Sequence, residues 1–269
     1  MMANLPESGV LKADLREGWL TLTMDDPARR NALSTEMAEA LHRILDAVRD
    51  GRSVRGITLQ GSGGAFCAGG DLKGMARHIM SGDRSAIETM SADAGELFAK
   101  LATQPQPVIA LVDGPALAGG LGLVCCADIV LVTDDARFAL TEVHLGIPPA
   151  QIAPYVIARL GLATGKRLML TGASFGGTRA AALGLADQSF ETASAMNKEA
   201  QTIKHSILKG APGAIAATKA LALRAGHCSP ADLQGEAARV FTDCLLSEEG
   251  SEGIASFVEK RQPKWAPHG

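Results

Sequence analysis

The chain has 269 residues, 46% of them hydrophobic and 20% charged, with a formal net charge of −3; this is the balance of a globular protein with a sizeable core. The acidic excess argues against a phosphate-gripping nucleic-acid surface, and no run approaches the roughly 18 apolar residues of a membrane-spanning helix. Five cysteines, Cys67, Cys125, Cys126, Cys228 and Cys244, show no CxxC or Cys/His metal spacing, which predicts reduced thiols in a cytoplasmic protein and no metal site.

In chain order, the opening MMANLPESGV has neither a basic nor an apolar stretch, so no signal peptide is expected. GVLKADL and WLTLTMD, separated by Glu-Gly, read as two short strands. Residues 34–50 read as an amphipathic helix with Met37, Leu41, Ile44, Leu45 and Val48 on one stripe, Ser34 as its N-cap and Gly51 after its last turn. A strand follows at 54–60, then the small-residue loop GAFCAGGDLKGM. The arrangement recurs: PVIALVDG is a strand, and PALAGGLGLVCCA is a Gly-Gly turn opening a helix over 119–127 that is apolar all round and therefore buried. DIVLVTD is a further strand. From residue 151 the periodicity is helical, over 151–170, 177–184, 192–209, 212–225, 231–248 and 250–261. This predicts an α/β core over residues 1–200 and a helical C-terminal region over 201–269, with GAPG at 210–213 as the only hinge in the second half. A helix is expected after the loop GAFCAGGDLKGM, and the sequence does not resolve residues 76–95 further.

Two strand–small loop–helix units imply two helix starts with unpaired N–H groups and partial positive charge. Such a place suits an anion, or an oxygen that becomes anionic during a reaction. GxxxxGK[ST] is absent, and neither turn fits GxGxxG with a following acid, which argues against a nucleotide cradle; tight packing alone is the other explanation of each turn. Cys67 has no histidine near it in sequence to activate it. Glu142 stands between apolar runs ahead of a Pro-rich turn. It reads either as a helix cap or as a carboxylate in an apolar pocket, raised toward neutral pKa and suited to acid–base work.

GAFCAGGDLKGM, GPALAGGLGLVCCADIVLVTDDARFALTEVHLGIPPA and RLMLTGASFGGTRAAALGLAD, with DPARRNALSTEM near the start and SFVEKRQPKW near the end, resemble the enoyl-CoA hydratase/isomerase (crotonase) superfamily over nearly the whole chain. The resemblance implies an α/β spiral of repeated ββα units, a helical C-terminal region that trimerises, and a homotrimer or dimer of trimers. It also implies an acyl-CoA substrate, with no cofactor beyond the coenzyme A that carries the acyl group. Two backbone N–H groups hold the thioester oxygen in the family, and the matching positions are Ala68 and Gly119. Gly69, Gly70, Asp71 and Leu72 match the stretch that wraps the pantetheine arm, Arg30 and Ala32 a segment near the CoA phosphates, and Phe257 and Lys260 tail positions near the CoA and acyl pocket. Of two glutamates familiar in hydratases, the second matches Glu142 and the first falls on Gly122. That leaves a one-carboxylate hydratase, a double-bond isomerase or another acyl-CoA lyase. EVHLGIPPAQIAPYV resembles the branch that hydrates 3-methylglutaconyl-CoA or isohexenylglutaconyl-CoA, where the missing side chain at Gly122 is expected to leave room for a branched acyl group. A non-catalytic RNA-binding or regulatory relative is the alternative of a different class, disfavoured by the acidic balance and by Glu142.

Overall fold

A computed structural model describes residues 5–266, apart from the side chains of Arg77 and Ile79. The first four residues of the leader reading and the last three of the predicted C-terminal region lie outside it. The first strands form a hairpin: β1 (Leu11–Arg16) pairs antiparallel with β2 (Trp19–Met24), Arg16 opposite Trp19. Glu17 and Gly18 both take positive φ, 51° and 76°, the two-residue turn whose twist matches that of the strands. Alternate residues of β2, Leu20, Leu22 and Met24, join the apolar face of α1 (Thr35–Arg49) in one core cluster. Ser34 caps α1 by accepting the Met37 N–H at 3.2 Å, as its sequence position predicts. Each large side chain on that face contributes about 1.5–3 kcal/mol on burial.

From β2 the sheet continues in parallel through β3 (Gly56–Gly61), β4 (Val108–Val112), β6 (Ile129–Thr133) and β9 (Gln188–Phe190), in the order β1-β2-β3-β4-β6-β9. All of VIALV in β4 is buried, as expected of a parallel strand covered on both faces. A smaller sheet of β5 (Pro115–Leu117), β7 (Arg137–Ala139) and β8 (Phe175–Gly176) stands beside it. The chain therefore coils through long strand, short strand and helix: β4, β5 and α4 (Gly119–Cys126), then β6, β7 and α5 (Ala153–Thr171). In the preceding turn the short strand shrinks to a single bridge between Cys67 and Ala116, followed by α2 (Leu72–Ser81) and α3 (Arg84–Ala102). A Cβ on Gly114 would overlap the carbonyl oxygen of Gly64, so successive turns of the coil meet backbone to backbone.

Three differences from the sequence reading have physical reasons. α3 went unread because only its last stretch, Leu97, Phe98 and Leu101, is buried, leaving most of the helix without an apolar stripe. The short strands run two or three residues, too few for alternation to show. The run expected as one helix from 151 is broken at Gly161, where φ is 73°.

After α6 (Gly177–Ala182), α7 (Ala193–Leu208) covers the second face of the large sheet, Met196 and Ala200 packing with Trp19, Ile109, Leu111 and Leu131. The expected division at 200/201 falls inside α7, and Ile203 and Ile207 beyond it pack on the same cluster. Beyond α7 lie α8 (Pro212–Ala225), α9 (Pro230–Leu246) and α10 (Glu248–Val258), among whose residues only Ser256 is buried. Phe241, Leu246, Ile254, Phe257 and Val258 are exposed in the single chain, Phe257 to 83%.

Candidate active site

The two small-residue turns meet. Gly69, with φ at 95°, lies so close to the second turn that a Cβ there would stand 2.9 Å from Cβ of Ala118 and 3.0 Å from the Leu117 carbonyl oxygen. Leu33 holds the first turn from behind, its N–H donating to Gly69 O at 2.7 Å and its carbonyl accepting from Asp71 N at 3.4 Å. In such a parallel bridge the residue between the two bonds turns its own N–H to the other side. That residue is Gly70, exposed, and its N–H has no acceptor among the described residues. Gly119 opens α4, so its N–H has no helical acceptor either. A Cβ on Gly119 would stand 3.9 Å from the Gly70 nitrogen. Two donors thus lie side by side at the positive end of an apolar, buried helix.

The small sheet brings a carboxylate to the same place. Leu117 pairs in parallel with Ala139, and Ala118 N donates to Ala139 O at 2.9 Å. Both chains leave at the same end, where Gly119 follows Leu117 by two residues and Glu142 follows Ala139 by three. Glu142 begins a 3-10 turn over Glu142–Leu145 and is 9% exposed. Its Oε2 is buried without a hydrogen-bond partner among the described residues. Burial pushes its carboxyl up from the ordinary glutamate value, opposed only in part by its own backbone N–H. A proton acceptor of raised pKa beside two donors for a developing oxyanion can shuttle a proton next to a thioester.

The sequence pattern of the enoyl-CoA hydratase/isomerase family matches residues 14–268. The chain belongs to the enoyl-CoA hydratase/isomerase family. Its fold resembles Pseudomonas aeruginosa AtuE at a TM-score of 0.92, with 42% identity over 96% of this chain and 100% of that one. An enoyl-CoA hydratase/isomerase from Marinobacter aquaeolei gives 0.89, with 34% identity over 96% and 99% of the two chains. A 2,3-dehydroadipyl-CoA hydratase of Escherichia coli is 30% identical over 91% of this chain and 93% of its own.

Within this crotonase-like α/β fold, the expected donor Ala68 is corrected by the structure. Its N–H is taken by Arg30 O at 3.0 Å, and the free donor of that turn is Gly70. A sequence signal for this exists: Asp71 Oδ1 accepts the Gly74 N–H at 3.0 Å and so caps α2, which puts Gly70 at the helix entrance. The expected room at Gly122 is also corrected. A Cβ there would overlap Cγ2 of Ile152 and stand 3.1 Å from Cε1 of Phe98, so the space is filled by apolar side chains. Asn31 was missed altogether. Fully buried at φ 57°, it accepts from Asp26 N at 2.8 Å and donates to Ser62 O and Ala65 O at 2.9 and 2.7 Å, tying the Arg30 segment to the first loop. Arg30 and Leu72 are exposed and Ala32 is buried.

Phe257 and Lys260 are exposed on and just after α10. That helix is fastened near the start of β3, with Glu249 on Arg52 at 3.4 Å and accepting from Gly213 N at 2.8 Å, and beyond the helix Trp265 O accepts from Arg55 at 2.9 Å. The donor turn leaves from the other end of β3, about 20 Å away at the usual strand rise. The Cys67 thiol, pushed up to about 12 by burial, is no nucleophile.

Proposed function

We propose that this enzyme adds water across the double bond of an α,β-unsaturated acyl-CoA. Gly70 and Gly119 N–H hold the thioester oxygen, and Glu142 takes a proton from the attacking water and returns it to C2 of the enolate. One carboxylate suffices for both transfers because they occur in sequence. The observation that carries the reading is the pair of N–H groups with no acceptor among the described residues, at the end of the small sheet that also delivers Glu142, whose buried Oε2 has no hydrogen-bond partner among them. Gly69, Gly70, Asp71 and Leu72 flank the pantetheine arm, and Arg30, exposed at the turn, meets the CoA phosphates with Ala32 in the same segment. The EVHLGIPPAQIAPYV run supports a branched glutaconyl thioester such as 3-methylglutaconyl-CoA or isohexenylglutaconyl-CoA, and the unpaired thiols support a cytoplasmic setting. A panel of linear and branched enoyl-CoA thioesters in heavy water tests the proposal. Hydration yields a 3-hydroxyacyl-CoA with deuterium at C2; a shifted alkene with no added oxygen would make the enzyme an isomerase.

The exposed apolar face of α9 and α10 supports self-association, and the place of α10 supports Phe257 and Lys260 serving the site of a neighbouring copy. Light scattering at micromolar concentration is expected to give the mass of a trimer or of paired trimers; a monomer mass would remove the assembly from the proposal.

A further inference from the structure

We infer that Ile152 is the positioning residue for Glu142, and that the first turn of α4 is the jig on which both donor and acid are located. The inference rests on the catalytic reading of Glu142 given above. No hydrogen bond aims the buried Oε2 among the described residues, so the carboxylate stands where its backbone segment stands. That segment is pinned at both ends on one turn of one helix. Upstream, Ala118 N donates to Ala139 O at 2.9 Å. Downstream, Ile152, 3% exposed, sits on Gly122 so closely that a Cβ on the glycine would stand 3.0 Å from the isoleucine Cβ and overlap its Cγ2.

Residues 118 and 122 are one helical turn apart, and the donor Gly119 lies between them. The chain between the pins has little slack: Ile147 N closes onto Glu142 O at 3.2 Å, Pro148 and Pro149 follow, and Gln151 Nε2 donates to Ser91 Oγ at 3.1 Å. Phe98 backs the contact, its ring 3.1 Å from a Cβ at Gly122 and 3.7 Å from one at Gly119. A β-branched side chain suits the task because its χ1 is stiff.

A double-mutant cycle tests this on the full-length enzyme, using the enoyl-CoA turned over fastest in the panel above. Gly122→Ala adds a methyl where Ile152 stands; Ile152→Ala removes the plug. Each is expected to lower kcat about tenfold or more with KM changed by less than about threefold, since a small misplacement of the acid costs turnover rather than binding. Combining them removes the overlap that Gly122→Ala creates and returns one of the three carbons that Ile152→Ala takes away, so the double variant is expected to lose clearly less than the product of the two single losses. Folded single variants with wild-type kcat, or losses that merely multiply in the double variant, would overturn the inference. If Gly122→Ala does not fold, Ile152→Val, which keeps Cγ2, is expected to hold kcat while Ile152→Leu loses it; the reverse order overturns the inference equally. Glu142→Gln run alongside separates the two readings. Full turnover there removes the catalytic role of Glu142, whereas loss there with unchanged plug variants removes only the role of Ile152.

Discussion

Glu142→Gln is expected to lower turnover by about 10²–10⁴ while acyl-CoA still binds, because the amide keeps the shape of the side chain and loses the ionisable group. The check is kcat by enoyl-thioester absorbance together with binding of a non-reactive acyl-CoA by calorimetry; a variant with wild-type turnover would end the mechanism. The pH profile carries the same assignment. Glu142 acts ionised when it accepts the proton of water, so activity rises as pH climbs through its pKa. Burial places that pKa above the ordinary glutamate value, and the acid limb of kcat/KM is expected to be shifted upward in the same direction. For stability the sign is opposite. A carboxyl raised in the folded state favours folding below its unfolded pKa, and that contribution is lost as pH rises through the folded pKa. Glu142→Gln is therefore expected to melt no lower than wild type at neutral pH.

Gly119→Pro is expected to cost about 10²–10³ in kcat, the usual effect of losing one oxyanion donor. Gly119 is the first residue of α4, where proline's fixed φ suits the helix and its missing N–H breaks no helical bond. A Cβ there meets the flexible Cδ1 of Leu33 at 3.1 Å, which can move aside. Gly70→Ala is the companion: it keeps the N–H, and its Cβ meets only Met75 Cε, at 3.1 Å. Activity near wild type for Gly70→Ala and a steep fall for Gly119→Pro, both folded by circular dichroism, would match two backbone donors. An active Gly119→Pro enzyme would show that this N–H does not serve the oxyanion.

What the sequence made legible follows from the range over which each cause acts. The capped and periodic α1, the Glu-Gly turn and the apolar α4 are local, and each is written in neighbouring residues. The roles of Gly70 and Ala68 depend on Arg30 and Leu33, which lie more than thirty positions upstream, and no local pattern separates one small residue of CAGGD from the next. Gly122 was misjudged for the same reason. A glycine reads as room until the residue facing it is known, and here that residue is Ile152. α3 escaped because most of its surface is wet, so its helical stripe has no apolar contrast.

In the proposed mechanism the oxygen-binding groups are peptide N–H groups, so the electrostatic part of the site is not stored in any side chain. A lineage could exchange most residues around Gly70 and Gly119 and still inherit both donors, provided the backbone path persisted. AtuE, at 42% identity, has a fold that superimposes at a TM-score of 0.92, so more than half of the aligned positions differ within one overall fold. Diversification in such a scaffold falls on what the donors cannot specify: where the acid stands and what lines the acyl cavity. In this chain the Leu33–Gly70 and Cys67–Ala116 bridges hold that path, and they do so through backbone groups that tolerate a change of side chain.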